Sequence, residues 1–580
     1  MFLRSTLRRM ALMACWLVAS CAAQTAAIEQ ASQAFRIGTE AYERGDLSTA
    51  RTQFSLAVRL APGIEEGHSA LGVVLCSLGD YPDAIAELNT ALKLKPEDRT
   101  AEENLAQAYG QIRSDAKAIT LFEKMDRETP LRADLLVVWA RALAAIPKTT
   151  DAIEIMERAV EADPLNAVLM DQLGSLDAQA GRWPDAEATF KKAIELDAQL
   201  ASAHLHLAVV LSHDLQMDGA ATEFSRAAEL DPHNATVQFE WGNALVAAND
   251  DDPAVEHFQR ALEIDPKMLD ADYQLALALQ RAGKEEEAIP LFQTVVDARP
   301  KEAEPLTNLG LAMVQTGRAK EAVPLYLRAA ALTPENATIH EDLGAAYLQE
   351  NNVDDAIREF QKGLKFAPQD PHLHYDLGLA YKLKDDLPHA IAELEAALRL
   401  DAASPDAPYT LGILYMQEGR FEDAVRNLRT ALELRPENGD GWSILGSIFR
   451  QQGKYDDAAE ALRKAIQLLP QQPGPHVTLA SVLQEEGKQD EAAAERKTAA
   501  DLTRVAVNRQ RAMFATNAGN ALLSKGQITD AIARYQEAIG SDPNYAAAHR
   551  QLATALTEQG RITEAAEERQ KADALTAKNP

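Results

Sequence analysis

Histidine is the residue type whose spacing most directly tests this sequence for a metal site. The densest group is His204, His206 and His213, and the next is the pair His372 and His374. Two helical residues that are two positions apart point to different sides of the helix, so neither pair offers two imidazoles to one ion. We therefore expect no metal site.

Motifs that would hold a nucleophile, a phosphate or a zinc ion are missing from the sequence. It has no P-loop, no GxGxxG after a strand, no GxSxG turn and no HExxH helix. His340 and Glu341 are followed by Asp342-Leu343-Gly344, which lacks the second zinc-binding histidine. We therefore expect no catalytic activity and no cofactor.

The three cysteines indicate neither a disulfide framework nor a zinc site. Cys15 and Cys21 lie in the first 21 residues, and Cys76 follows Leu75 in a helical segment where a small apolar residue is needed. We interpret Cys76 as structural.

One stretch of 34 residues predicts the structure of almost the whole chain. Residues 439–472 read GDGWSILGSIFRQQGKYDDAAEALRKAIQLLPQQ, with apolar residues at helical spacing in two segments split by Gln451, Gln452 and Gly453. Pro470 ends the second segment because it cannot continue a helix. The pattern is typical of a helical hairpin.

This stretch resembles a tetratricopeptide repeat, a 34-residue helix-turn-helix unit. Steps of 34 residues back from Gly439 reach Ala31 without an insertion, and one step forward reaches Pro473. After five extra residues, two more units start at Ala512 and Ala546. Numbered from these starts, position 8 is Gly or Ala and position 20 is Ala in all sixteen units, as expected where two helices cross closely. The resemblance implies an all-α, right-handed superhelical solenoid of about sixteen repeats.

The two ends of the array are predicted from changes in this pattern. We expect fourteen contiguous units over 31–506, an insertion or an extended helix at 507–511, and two further units over 512–580. Arg496 and Arg569 stand where other units carry Phe or Leu, which is typical of a polar outer helix at the end of a stack. A turn near Asn508 is the alternative to the extended helix.

Residues 1–21 have the form of a secretory signal with a lipobox. Arg4, Arg8 and Arg9 precede a short apolar run, which ends in Leu17-Val18-Ala19-Ser20-Cys21. The sequence is similar to bacterial exported lipoproteins, in which such a cysteine is acylated. The expected location is the periplasmic face of a bacterial membrane, with an outer-membrane lipoprotein as the first interpretation. Cleavage by the ordinary signal peptidase would make the protein periplasmic or secreted.

The formal net charge of −30 disfavours nucleic acid and anionic lipid as partners, because an acidic surface repels phosphate. Membrane association is therefore expected only through the N-terminal lipid.

The family resemblance also suggests a role for six of the histidines. They all occupy position 4 of their units, where the family pattern places Trp, and we interpret them as packing residues: His68, His204, His340, His374, His476 and His549.

In the family, ligands lie in the concave groove of the first helices. The Lys and Asn residues of the two-carboxylate clamp are missing here, and the asparagine ladder of sugar-transferring relatives is not sustained. The groove offers aromatic residues at position 5 with nearby basic side chains, and these are the candidate contacts: Phe239, Tyr273, Tyr375, Lys382, Tyr409 and Arg450. Such side chains suit an extended peptide and also suit a saccharide.

The sequence thus predicts a non-enzymatic, protein-binding scaffold or adaptor of the bacterial cell envelope. The alternative is a saccharide-handling subunit of a polysaccharide export or glycosylation system.

Overall fold

The computed structural model describes residues 25–578. The predicted signal peptide and the lipidation site Cys21 lie outside the described residues. The chain divides into two compact units, Met1–Ala298 and Arg299–Pro580. All regular structure in residues 25–578 is helical, which confirms the predicted all-α class.

The helices of the first unit form eight consecutive hairpins. They are α1 (residues 25–43), α2 (Leu47–Leu60), α3 (Glu65–Ser77), α4 (Tyr81–Leu94), α5 (Arg99–Gln111), α6 (Asp115–Glu128), α7 (Ala133–Ala144), α8 (Thr149–Ala162), α9 (Ala167–Gln179), α10 (Trp183–Leu196), α11 (Ala201–His213), α12 (Met217–Leu230), α13 (Ala235–Ala247), α14 (Asp251–Ile264), α15 (Leu269–Arg281) and α16 (Glu285–Ala298).

The second unit continues the same alternation of helices. They are α17 (Ala303–Gln315), α18 (Ala319–Leu332), α19 (Ala337–Gln349), α20 (Val353–Phe366), α21 (Pro371–Leu383), α22 (Leu387–Leu400), α23 (Asp406–Gln417), α24 (Phe421–Leu434), α25 (Gly439–Gln451), α26 (Tyr455–Leu468), α27 (Pro473–Glu485), α28 (Gln489–Leu523), α29 (Ile528–Ser541), α30 (Ala546–Glu558) and α31 (Ile562–Lys578).

The segment between the two predicted runs of repeats is one helix of 35 residues, α28. Its first part pairs with α27 and its last part pairs with α29. No proline or glycine lies between Asp490 and Asn517 to interrupt it. Residues 507–511 lie within this helix.

The two helices of each hairpin cross where a small residue at position 8 faces a large residue at position 24. A Cβ atom on Gly344 would come within 2.5 Å of the Phe360 ring, and one on Gly446 within 2.6 Å of the Leu462 side chain. Position 20 is equally crowded, since Ala356 and Ala458 have no exposed surface. This packing explains why these positions keep the repeat in register.

In fifteen of the sixteen hairpins the turn contains a residue in the left-handed conformation at position 15. Ten of these residues are glycines, and five are not: Arg113, Leu215, Asn249, Asn351 and Asp385. Glycine adopts this conformation without the steric penalty of a Cβ atom. The remaining unit has Pro147 at position 15. Because proline is restricted to negative φ, this turn cannot use the left-handed conformation. The helix before it, α7, is one residue shorter than α5 and α9.

The first helices of neighbouring hairpins lie on the inner side of each stack. Several of them contact one another directly, for example α9 with α11 and α25 with α27. The second helices pack mainly on the first helices that precede and follow them in the chain. Each stack therefore bends towards its first helices. We call the surface carried by the first helices the A-helix face.

None of the described helices is long and apolar enough to cross a bilayer.

Candidate functional site

The predicted aromatic contacts of the first unit, Phe239 and Tyr273, lie half-buried on neighbouring first helices. The ring of Phe239 packs at 5.9 Å from that of Phe258, and the ring of Tyr273 lies edge-on at 6.0 Å from that of Phe292. Both partners are fully buried residues at position 24. Each aromatic contact thus covers the core of its own hairpin while one side remains accessible.

The remaining predicted contacts lie in the second unit. Tyr375 and Tyr409 are half-buried and pack against the core formed by α22 to α28. Arg450 is exposed and forms an ion pair with Glu485 at 3.5 Å, so part of its charge is already neutralised. Lys382 is half-buried near the end of α21.

Three carboxylates on α19 and α21 lie on the A-helix face of the second unit, beside Tyr375. Burial, together with the carboxylates of Asp376, Asp370 and Asp342, raises the pKa of Glu341 to about 7. Burial raises the pKa of Asp342 to about 6, and it raises that of Asp376 to about 6 against the opposing effect of His372. We call Glu341, Asp342 and Asp376 the acidic trio.

The acidic trio has no ion-pair partner among the described residues, although the nearby His372 opposes the rise in pKa of Glu341 and Asp376. Within residues 25–578, no ion pair or hydrogen bond to these three carboxylates is present. A charged group that is partly removed from water without a partner opposes folding, and a cation bound from outside would relieve that cost. The sequence analysis treated carboxylates as solvated surface and missed this group. Acids at positions 5 and 6 of successive units were the available signal.

In the first unit, His206 is held by a buried carboxylate on the A-helix face. Its Nδ1 lies 2.8 Å from Asp171 Oδ1, and Ser202 donates a hydrogen bond of 2.8 Å to Asp171 Oδ2. The imidazole lines a cavity of about 320 Å³ whose other walls include Phe190 and Leu205. This arrangement fixes the imidazole but was not predicted, because the contacts join different repeats.

The same cluster contains a serine, but its geometry does not suit nucleophilic catalysis. Ser175 Oγ lies 3.4 Å from His206 Nδ1, the nitrogen that already faces Asp171, and it donates its hydrogen bond to the Asp171 carbonyl at 3.0 Å. A Ser-His-Asp triad needs the serine and the carboxylate on opposite ring nitrogens. His206 is therefore suited to hydrogen bonding with a ligand rather than to activating Ser175.

The six histidines at position 4 are packing residues, as predicted. Each also has a carboxylate partner, which the sequence analysis did not predict. Five are buried and His374 is half-buried. In all six, Nδ1 lies 2.5–2.8 Å from a glutamate at position 23 of the same unit. Those glutamates are Glu87, Glu223, Glu359, Glu393, Glu495 and Glu568.

The position-4 residue also anchors the preceding loop. His340 Nε2 lies 3.1 Å from the Pro334 carbonyl, and Trp442 Nε1 donates to the Pro436 carbonyl at 2.9 Å. In both cases the carbonyl belongs to the residue six positions earlier. Histidine can replace tryptophan here because both rings present a nitrogen to the same acceptor.

The described residues contain no group of three or more His, Cys, Asp or Glu side chains that could hold a metal ion.

Family models match most of the chain. The model described as a tetratricopeptide repeat matches 35–89, 172–235 and 215–269, and that described as a TPR repeat matches 72–112 and 519–560. The chain is a tetratricopeptide-repeat protein. A third model, the C-terminal domain of cilia and flagella-associated protein 70, matches 254–516.

Solved structures similar to this tetratricopeptide-repeat protein include three of different lengths. One is the APC/C hetero-tetramer Cut9-Hcn1, with 16% identity, a TM-score of 0.36, and 91% of this chain and 96% of that chain covered. MamA has 27% identity and a TM-score of 0.27, with 28% and 94% covered. YrrB, described as a TPR protein with an unusual peptide-binding site, has 22% identity and a TM-score of 0.29, with 31% and 92% covered. A search of curated proteins found no match.

Tetratricopeptide repeats indicate a protein–protein interaction scaffold, and such proteins are generally not enzymes.

Proposed function

We propose that this protein is a non-enzymatic scaffold that binds an extended, positively charged segment of a partner protein on the A-helix face of the second unit. The observation that carries the proposal is the acidic trio, whose partly buried carboxylates form no ion pair within the described residues. Lysine or arginine side chains of a partner would supply the missing charge.

Aromatic side chains beside the acidic trio suit the rest of such a segment. Tyr375 precedes Asp376 on α21, and Tyr409 is the corresponding residue of α23. Burial and the nearby carboxylate of Asp440 raise the pKa of Tyr409, so its phenol stays neutral. Rigid aromatic rings contribute contact area at a low entropic cost.

The test is the binding of a fluorescently labelled lysine-rich peptide to the full chain, measured by anisotropy at pH 6 and pH 8. The peptide should bind more tightly at pH 8, because carboxylates with pKa values of about 6 to 7 are then ionised. The double variant Asp342→Asn, Asp376→Asn should weaken binding by about tenfold. A glutamate-rich peptide of equal length is the ligand control, and Asp456→Asn, which changes an exposed acid of α26, is the protein control.

Equal affinity for both peptides, or an affinity unchanged in the double variant, would contradict the proposal. The saccharide alternative makes the opposite prediction. A labelled glycan should bind independently of Asp342 and Asp376 and lose affinity in the variant Tyr375→Ala, Tyr409→Ala.

We further propose that the protein is exported and anchored to a bacterial envelope membrane through lipidated Cys21, as the lipobox-like sequence suggests. The substitution Cys21→Ala should move the protein from the membrane fraction to the soluble envelope fraction. Unchanged membrane association in a fractionation experiment would refute the lipid anchor and leave periplasmic or secreted location to be tested.

A further inference from the structure

In six units a histidine at position 4 of the first helix pairs with a glutamate at position 23 of the second helix. In the unit that contains α19 and α20, for example, His340 and Glu359 are 2.8 Å apart and both are buried. In these units the paired side chains fill the space between positions 4 and 23.

The unit formed by α25 and α26 is one of the ten units that lack this pair. Position 4 is Trp442 and position 23 is Ala461, whose methyl group cannot replace a glutamate side chain. A cavity of about 500 Å³ remains between α24 and α26, and Leu445 and Phe449 of α25 also line it. This volume lies within the range of small-ligand sites in proteins. We call it the Trp442 slot.

The rim of the Trp442 slot is acidic. Glu433, Asp457 and Glu460 line it and are exposed, and none of them has an ion-pair or hydrogen-bond partner in residues 25–578. Arg429 is the cation of the lining, and its guanidinium lies 5.6 Å from the centre of the Phe449 ring. Three acids and one base give the lining a formal charge of 1 − 3 = −2.

The Trp442 ring is the aromatic surface of the slot that is available to a ligand, since the Phe449 ring already faces Arg429. Its Nε1 donates to the Pro436 carbonyl at 2.9 Å, which fixes the indole, and the described part of the chain offers its ring no aromatic or cationic partner. Tryptophan gives the strongest cation–π interaction of the aromatic side chains, and the interaction strengthens as water is displaced.

We propose that the Trp442 slot binds an organic cation with an alkylammonium head group and a short apolar body. The head group would lie against the Trp442 ring within the acidic rim, and the apolar body would contact Leu445 and the other buried side chains. Such a group could be a free small molecule or a lysine side chain, methylated or not, of a partner. The site lies on the second helices and is independent of the A-helix face proposed above.

Titration of the full chain with choline by isothermal calorimetry tests the proposal. The uncharged isostere 3,3-dimethylbutan-1-ol is the ligand control, and choline should bind at least tenfold more tightly. The variant Trp442→His, Ala461→Glu introduces the His–Glu pair that six other units carry at positions 4 and 23. Choline binding should be lost in this variant. Circular dichroism verifies that this variant is folded.

A second variant keeps the slot open and changes only its charge. Glu460→Gln should weaken choline binding about two- to fivefold, the range expected for an exposed charge pair. The matched control Asp456→Asn, an exposed acid of the same helix that does not line the slot, should leave binding unchanged.

Peptides that carry one lysine or one trimethyllysine distinguish the two sources of the cation. Tighter binding of either peptide than of choline identifies a partner side chain, and tighter binding of choline identifies a free cation. Equal binding of choline and its isostere, or choline binding that survives in the folded double variant, would overturn the proposal.

Discussion

Replacing Asp342 by asparagine should stabilise the protein locally at pH 8, because it removes a carboxylate whose charged form is disfavoured by burial. The carboxyl pKa is 3.8 in its ordinary state and about 6 in the folded chain, where burial disfavours the charged form. Because the folded-state pKa is raised, protonation favours folding. This stabilisation is complete below about pH 4 and is lost as the pH rises through about 6.

The magnitude follows from the pKa difference. A change of about 2 units corresponds to about 3 kcal/mol at pH 8, and partial solvent exposure of the side chain reduces this to about 1–2 kcal/mol. Asparagine has a similar shape and no charge, so the substitution removes this cost. Near pH 4 both forms are neutral, and the effect should vanish.

Hydrogen–deuterium exchange with mass spectrometry measures this change in stability helix by helix. The method suits a repeat array that does not unfold in one step. After correction for the intrinsic pH dependence of exchange, peptides from α19 should exchange about five- to thirtyfold more slowly at pH 8 in Asp342→Asn. Peptides from α3 should not change. Glu350→Gln, at the exposed end of α19, is the matched control and should have no effect.

The reasoning would be refuted by unchanged or faster exchange of α19 in Asp342→Asn at pH 8, or by equal protection at pH 4 and pH 8 in the original chain. Either result would mean that Asp342 is well solvated or has a counterion in solution.

Four further predictions concern the hairpins themselves. Gly181→Ala should destabilise its hairpin by about 1 kcal/mol in exchange experiments, because φ is +73° and a Cβ atom there meets no other atom. Leu215→Gly, at an exposed turn with φ of 59°, should stabilise by up to about 1 kcal/mol, and a loss of stability would contradict the assignment of strain. His340→Ala leaves the buried Glu359 carboxylate paired only with the exposed Lys362 and should cost about 2 kcal/mol, whereas His374→Ala at the half-buried equivalent should cost less. Burial raises the pKa of Cys76 from 9.0 to about 11, so maleimide labelling at pH 8 should be about a hundredfold slower in the folded chain than in urea, and equal rates would refute the burial. The labelling uses a chain whose other two cysteines are serine.

The hairpin structure of the chain could be predicted from the sequence in detail. The small residue at position 8 and the large one at position 24 are close in sequence, and they face each other whenever two helices are joined by a three-residue turn. Gly446 and Leu462, for example, identify the crossing point without knowledge of any other repeat. The packing role of His340 followed from the same register, because its position is defined within one unit.

The candidate site could be predicted only in part. Position 5 places Tyr375 and Tyr409 on first helices, whereas the acids at positions 5 and 6 do not by themselves show that Asp342 is more buried than other carboxylates. The pKa of Asp342 is raised by burial, and its carboxylate raises the pKa of Tyr326 on α18, so its surroundings include a side chain of the preceding unit. The contact of His206 with Asp171 likewise joins residues 35 positions apart in different repeats.

The amino-acid sequence by itself determined the helical hairpins, their register and the residues at which they close, because these depend on interactions within about 34 residues. Only the tertiary structure decided which polar groups lose water and which clefts remain open. The acidic trio and the Trp442 slot arise where neighbouring hairpins meet. There, burial and cavity volume depend on how adjacent repeats pack and on the side chain at position 23, which is a glutamate in six units and Ala461 at the slot.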